Sequence, residues 1–471
     1  MNADPRTLRS RGAHDTIAAC ATPPGTGGIA VIRVSGPAAI DATAATFSAG
    51  ERLRAAASHT AHFGRILSGD GGTIDEAVVT LFRAPASYTG EDVAEISCHG
   101  GTVVSRAVLD RVLAQGVRHA QPGEFTRRAF LNGRLDLAQA EAVADLIHAR
   151  SDAARLASIA QMQGRLSAVV AEMRERLVRC LSLLELNLDF AEEDVELVTR
   201  AQLRDELIAA RTAIATALDR YAGGRLLREG FKVVLAGRPN AGKSSLFNAL
   251  LGTRRAIVTD APGTTRDFIE EMMTHDGTAF RFVDTAGLRG ARDEAEQAGI
   301  EFSREQLAEA DAVCWVIDAA ESGGLGFAHE AAQALRASLH KGTPFLTLLN
   351  KIDQLGEASG ALSEDPDVLR VSAQSGDGIP ALLSRLCVHA RTRLPAASGA
   401  EALVTNARHA DCLRRAAAAL NSATAALDDG AGEELVALDT RAAIAALGEI
   451  TGDVTNDDVL HAVFARFCIG K

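Results

Sequence analysis

The sequence predicts a multidomain fold of α/β and α parts: an N-terminal α+β domain, a discontinuous α-helical domain, and an α/β domain inserted into the helical one. Three textures carry this expectation. Residues 1–134 hold short apolar runs bounded by Gly and Pro, residues 135–229 and 394–471 are Ala- and Leu-rich at helical spacing, and residues 230–393 alternate apolar strands with helical segments. At 471 residues the chain is too long for one ordinary core, so a division of this kind is required.

In the first block, segments 15–21, 28–34, 77–82 and 93–97 read as strands. In the second, Leu177, Leu181, Leu184 and Leu188 fall on one helical face, the pattern of a core stripe. The acidic run Asp189, Glu192, Glu193, Asp194 and Glu196 reads as a solvated helix end or turn. The third block has strands at 231–236, 280–283, 312–317, 345–349 and 368–371, which predict a parallel sheet covered on both faces. After the linker 394–399 helices return. So short a helical tail buries little alone, so it is expected to pack on the helices that precede the insertion.

Composition excludes several classes. No apolar run approaches the roughly 20 residues of a membrane span, and the first thirteen residues carry Arg6, Arg9 and Arg11 with no secretory apolar core behind them. An organellar transit peptide is the competing reading of that start. The seven cysteines are scattered and never form a C-x-x-C pair, which argues for a reducing cytoplasm and against a disulfide framework or a zinc site. A formal charge of −12 means that any RNA contact has to come from a local patch. Arg106, Arg111, Arg118, Arg127, Arg128 and Arg134 either form such a patch or lie spread over solvated faces.

The run Gly237-Arg-Pro-Asn-Ala-Gly-Lys243-Ser244 is a phosphate-binding loop placed between a predicted strand and a predicted helix. Asn240, Ala241, Gly242, Lys243, Ser244 and Ser245 are its candidate nucleotide-binding residues. Backbone amides and the helix N-terminus face the phosphates, Lys243 reaches the β and γ groups, and the Ser244 hydroxyl can ligate Mg2+. Asp284-Thr285-Ala286-Gly287 follows a buried strand, which puts Asp284 near the magnesium and the Gly287 amide near the γ-phosphate. Asn350-Lys351-Ile352-Asp353 follows another. The Asp353 carboxylate can accept hydrogen bonds from guanine N1 and N2, whereas adenine would leave it unpaired, so the set selects GTP over ATP. Ser372-Ala373-Gln374, at a strand end, resembles the last base-contacting motif of GTPases but departs from the commoner Lys. These pieces, in this order, imply a Ras-like P-loop domain that hydrolyses GTP.

The residue that orients the attacking water is not the usual glutamine, because Leu288 stands in that place and cannot hydrogen-bond. The segment Asp260 to Asp267, with Ala261, Pro262, Gly263, Thr264, Thr265 and Arg266, supplies a switch loop in which Thr265 can complete the magnesium shell, and Thr259 precedes it as a further nucleotide-binding candidate. The Asn240 side chain can help to hold a monovalent cation that supplies the charge of an arginine finger. Glu296 is a candidate to orient the water, with a solvated helical glutamate as its ordinary reading.

Long strings outside the phosphate loop match one family. The segments beginning Asp15-Thr-Ile-Ala-Ala-Cys-Ala-Thr-Pro-Pro-Gly-Thr-Gly-Gly, Ile32-Arg-Val-Ser-Gly, Tyr88-Thr-Gly-Glu-Asp-Val and Gly123-Glu-Phe-Thr-Arg-Arg, and the ending Phe467-Cys-Ile-Gly-Lys, resemble the bacterial MnmE (TrmE) family over nearly the whole chain from Asp15. The resemblance implies an N-terminal folate-binding and dimerisation domain at 1–134, a helical domain in two parts at 135–229 and 394–471, and a G domain at 230–393. It implies a potassium-stimulated, homodimeric GTPase acting with the flavoprotein MnmG. Together they add a carboxymethylaminomethyl or aminomethyl group to C5 of the wobble uridine, position 34, of certain tRNAs. The one-carbon donor is a tetrahydrofolate derivative, 5-formyl- or 5,10-methylene-tetrahydrofolate. By motif match it assigns folate binding to Arg33, Glu95, Arg134 and Lys471. The cations can pair with folate carboxylates and the glutamate can accept from the pterin; ordinary surface ion pairs are the alternative. It also assigns K+ to Asn240 with the backbone oxygens of Thr259, Ala261 and Thr264, and water orientation to Glu296; Cys468 aligns with the family's terminal cysteine and reads as a catalytic candidate near the folate and uridine. Pro262 fixes the local φ of the K+ loop, which leaves the strength of cation binding open.

A regulatory GTPase of the Era or Der kind, acting in ribosome assembly, is the rival reading. It predicts a basic RNA-binding appendage such as a KH domain, and the helical, mixed-charge tail after Glu401 disfavours it.

Overall fold

Alternation along β2 (Ile29–Ser35) buries Ala30, Ile32 and Val34 and leaves Val31 and Arg33 on the opposite face. The computed structural model describes residues 15–189, 199–252, 269–284, 305–320, 332–340, 342–355, 367–394, 404–455, 457–465, 467 and 469–471. They fall into two compact units, one of Met1–His148, Ser158–Thr216 and Asp411–Lys471, the other of Ala149–Ala157 and Ala217–Ala410.

In the first unit β1 (Ile17–Cys20), β2, β3 (Thr60–Leu67), β4 (Thr73–Phe82), β5 (Val93–His99) and β6 (Arg118–His119) form one sheet in the order β3-β4-β5-β2-β1-β6. The helix Thr102–Leu113 sets Val108 and Val112 into the same core as Ile32, Val79 and Ile96. Strand β3 was not expected. It is an edge strand whose outer positions are mostly exposed, and Gly64 interrupts its apolar pattern. A Cβ on Gly64 would come within 2.4 Å of the Phe47 ring, so the glycine is a close-approach position.

The helical part of this unit includes Arg165–Asp189, with Leu177 and Leu184 fully buried and Leu181 partly so; the Leu188 side chain lies outside the described set, as does most of the acidic run. The helix Glu433–Thr451, from beyond the insertion, packs along it. Arg441 pairs with Glu185 at 2.6 Å, and Arg174 pairs with Asp453. The chain therefore leaves this helical layer and returns to it.

In the second unit β7 (Phe231–Gly237), β8 (Ile269–His275), β9 (Thr278–Asp284), β10 (Ala312–Asp318), β11 (Phe345–Asn350) and β12 (Val368–Arg370) form a sheet in the order β12-β11-β10-β7-β9-β8. Successive residues of β7 feed two cores. Val233 and Leu235 join Phe280, Phe282, Leu246 and Leu382 on one face, while Val234 and Ala236 join Val283, Val313 and Phe345 on the other. Burial on both faces explains the unbroken apolar run. The expected all-parallel sheet needs one correction: β8 is antiparallel to β9, joined through Asp276 and Gly277, which adopt φ of 49° and 75°. Two positive φ values in an Asp-Gly pair favour a tight hairpin turn.

Candidate functional site

The carboxyl ends of parallel strands in a doubly wound sheet are where such folds bind ligands. Here the ends of β7, β9, β10 and β11 bring together most of the described residues singled out in the sequence. Gly237 (φ 146°) turns the chain out of β7, and a Cβ there would lie 2.3 Å from the Val316 oxygen of β10. Asn240 adopts φ 64° and is exposed; Gly242 follows at φ 89°, and Lys243 opens the helix Lys243–Gly252. The largely buried Lys243 ammonium donates to the Gly237 and Arg238 oxygens at 2.9 and 2.8 Å, so it crosses the mouth of the loop.

Ser244 donates to Asp284 Oδ2 at 2.7 Å. Ser244 is an exposed residue, while Asp284 is almost wholly buried at the end of β9. A hydroxyl backed by a carboxylate is an all-oxygen donor set suited to Mg2+, which keeps several of its ligands as water or phosphate. Ser245 is exposed one residue further on.

On the base side, Asn350 Nδ2 donates to the Ala241 oxygen at 2.9 Å and Asn350 Oδ1 accepts the Ala373 amide at 3.1 Å. Lys351 adopts φ 66°, and Ile352 opens a short 3-10 turn that carries the exposed Asp353. Ser372 donates to Asp353 Oδ1 at 2.5 Å and accepts the Gln374 and Ser375 amides, which orients the carboxylate. Sequence reading missed Asp318, whose Oδ2 lies 2.6 Å from Lys351 Nζ. Its signal was a carboxylate closing a buried apolar strand. Thr259, Asp260, Ala261, Pro262, Gly263, Thr264, Thr265, Thr285, Ala286, Gly287, Glu296 and Cys468 lie outside the described residues.

A second cluster occupies the first unit. Arg33 and Glu95 are register partners on β2 and β5, and the guanidinium meets Glu95 Oε1 at 2.7 Å. Arg33 also donates to the Gly470 oxygen at 3.4 Å and stands over the Tyr88 and Phe125 rings at 5.2 and 5.7 Å. The Lys471 ammonium lies 5.9 Å from the Tyr88 centroid. Burial, reinforced by Arg33, pulls the Lys471 pKa below the ordinary lysine value although Glu95 opposes this. Gly470 fits against the end of β1, where a Cβ would be 2.5 Å from the Cys20 oxygen. Arg134 is exposed; its stem packs beside Gly90, where a Cβ would lie 3.2 Å from Arg134 Cγ.

Of the six candidate patch arginines, Arg128 is buried among Asp15, Glu91 and Glu124, and Arg118 pairs with Asp15 and Glu124. Arg106 lies beside Asp110, and Arg111 donates to the Leu67 oxygen. Arg128, Arg118 and Arg111 are thus engaged in local structure, whereas the Arg106 side chain is 81% exposed.

The glycine-bearing loop, its lysine and serine, and the carboxylate on the base side define a nucleotide-binding protein of the P-loop class with a guanine-type base motif. Models described as "GTP-binding protein TrmE N-terminus" and "MnmE helical domain" match residues 16–134 and 137–468. The chain belongs to the MnmE (TrmE) family. Among curated relatives, a tRNA modification GTPase MnmE of Chlorobium phaeobacteroides is 47% identical over 97% of both chains. Those of Chlorobium luteolum and Salinibacter ruber are 45% and 44% identical over 97% of this chain, covering 97% and 99% of their own.

Proposed function

We propose that the chain is a Mg2+-dependent, K+-stimulated GTPase that works as a homodimer with the flavoprotein MnmG on the wobble uridine of certain tRNAs, with a tetrahydrofolate derivative as one-carbon donor. The observation that carries the GTPase reading is the placement of Lys243, Ser244 and Asp353 at the carboxyl ends of the parallel strands of one sheet, with Asp284 behind the serine and Ser372 behind the base-side carboxylate. The tRNA substrate is supported by relatives matched over nearly their full length that are tRNA modification GTPases.

In this reading the amides of residues 240–245 and the Lys243 ammonium bind the phosphates, and Ser244 and Thr265 hold the metal. When bound, magnesium supplies charge that offsets the negative charge on the phosphoryl oxygens. Asn240, with the backbone oxygens of Thr259, Ala261 and Thr264, holds K+. Glu296 orients the attacking water and Asp353 excludes adenine. Arg33, Glu95, Arg134 and Lys471 bind the folate, with Cys468 acting beside it. Arg33 and Lys471 converge near Tyr88, which offers paired cations and an aromatic wall to an anionic, flat ligand.

The test is threefold: GTP against ATP hydrolysis in K+ and in Na+, dialysis against 5-formyltetrahydrofolate, and nucleoside analysis of tRNA from cells lacking the chain. GTP-selective, K+-stimulated turnover, folate retention, and loss of the modified uridine restored by the wild type are expected. Equal turnover of ATP and GTP overturns the nucleotide reading, and no folate retention overturns the one-carbon reading.

A further inference from the structure

We propose that Asp318 is a positioning residue for nucleotide retention: its carboxylate pins the Lys351 ammonium so that the lysine stem stands as a fixed wall between the phosphate loop and the base-side carboxylate. The inference rests on the guanine-nucleotide site proposed above and adds to it a residue from the end of β10.

Three observations converge on Lys351. Its backbone adopts φ 66°, a conformation uncommon for a side chain-bearing residue, so its stem leaves the chain in a defined direction. At the tip, Nζ meets Asp318 Oδ2 at 2.6 Å, with the side chains only 29% and 19% exposed, so water competes weakly for the pair. Along the stem, Lys351 Cε lies 3.8 Å from where a Gly242 Cβ would stand, which places it against the phosphate loop.

Asp318 is itself fixed. Its Oδ1 accepts the Ala320 amide at 3.0 Å, the next amide, of Ala319, donates to the Asn350 oxygen at 2.9 Å, and Asp318 and Asn350 are register partners of β10 and β11. A free lysine samples many rotamers; one tethered at both ends of its stem has few left to lose when a ligand packs on it. A nucleotide reaching from residues 240–245 to Asp353 passes that stem, so ordering it beforehand favours retention.

The experiment is a double-mutant cycle on the full chain, read by calorimetric titration with GDP at fixed Mg2+. Asp318→Ala is expected to weaken GDP binding about tenfold, and the isosteric Asp318→Asn, which keeps an acceptor but no charge, by a smaller factor. In a Lys351→Met background, which keeps the stem and removes the ammonium, Asp318→Ala is expected to add less than about twofold. A merely structural aspartate would cost the same in both backgrounds. The proposal is overturned by wild-type affinity in Asp318→Ala, or by the full loss persisting beside Lys351→Met. Failure of the wild type to bind GDP is a separate result, and it overturns the site reading beneath.

Discussion

Asn350 is joined to Ala241 by a buried hydrogen bond of 2.9 Å, so the loop that would read the base and the loop that would hold the phosphates are one hydrogen-bonded body. The same side chain accepts the Ala373 amide and thereby gathers the third base-side segment. Asn350→Ala would strand the Ala241 oxygen and the Ala373 amide, a cost of about 1–3 kcal/mol. GDP affinity is expected to fall roughly 10- to 100-fold with the far-ultraviolet circular dichroism unchanged. An affinity within a factor of about two of wild type would show that this bridge does not align the two loops.

Asp353 is held by Ser372 in an orientation that leaves it exposed to a base edge. Asp353→Asn replaces an acceptor-only group by one that also donates, which opposes the donors of guanine and suits the extra carbonyl of xanthine. Guanosine nucleotides should bind at least about 100-fold more weakly, and xanthosine nucleotides should compete better than they do in the wild type. Competition titration on both proteins decides it; unchanged base preference would remove Asp353 from the recognition role.

The nucleotide loop was legible because its chemistry is local: eight consecutive residues, running from the end of a strand into the start of a helix, state their own geometry. Asp318 was not, since a lone aspartate after Ile317 acquires meaning only when β10 pairs in register with β11 and brings it to Lys351. Strand β8 was overlooked although Asp276-Gly277 is a hairpin signal, because Met272, Met273 and the acidic Glu270 and Glu271 do not read as a β-branched strand. Arg118 and Arg128 invited a surface reading, yet distant carboxylates, from Asp15 and Glu91, close around them. Arg33 and Glu95 lie 62 positions apart and meet only through β2–β5 pairing.

Acid should weaken the first unit through Glu124. Burial pushes its carboxyl up, but hydrogen bonds from Arg118, the Gln121 amide and Arg128 together hold its pKa below the ordinary glutamate value. A depressed folded-state pKa contributes stability above the unfolded value and loses it as pH falls through the folded one. Glu124→Gln should therefore cost about 1–3 kcal/mol at neutral pH, with the gap to wild type narrowing below the usual glutamate range. Denaturant melts at neutral and acid pH measure the gap; a constant difference across that range would contradict the assignment.

Thiol chemistry should single out few cysteines. Burial pushes the Cys98 and Cys180 thiols up to about 11 and that of Cys314 up to about 12, which leaves almost no thiolate near neutrality. Brief alkylation of the folded chain, read by peptide mass spectrometry, should leave these three unmodified and label them only after unfolding. Labelling of any of them at the rate of a free thiol would show that its burial is transient.

Lys471 gives the folate reading a pH signature. Its pKa is depressed by burial and by Arg33, so the ammonium surrenders its proton at lower pH than an ordinary lysine. A bound carboxylate favours the charged form, so binding takes up a proton as pH rises through the depressed value, and affinity declines there. Lys471→Arg keeps a guanidinium that stays protonated throughout, so its affinity for 5-formyltetrahydrofolate should remain flat over the interval in which the wild type declines. Dialysis at a series of pH values compares the two chains. Parallel decline in both would place the titrating group elsewhere, and an unchanged affinity in Lys471→Ala would remove this residue from the folate site.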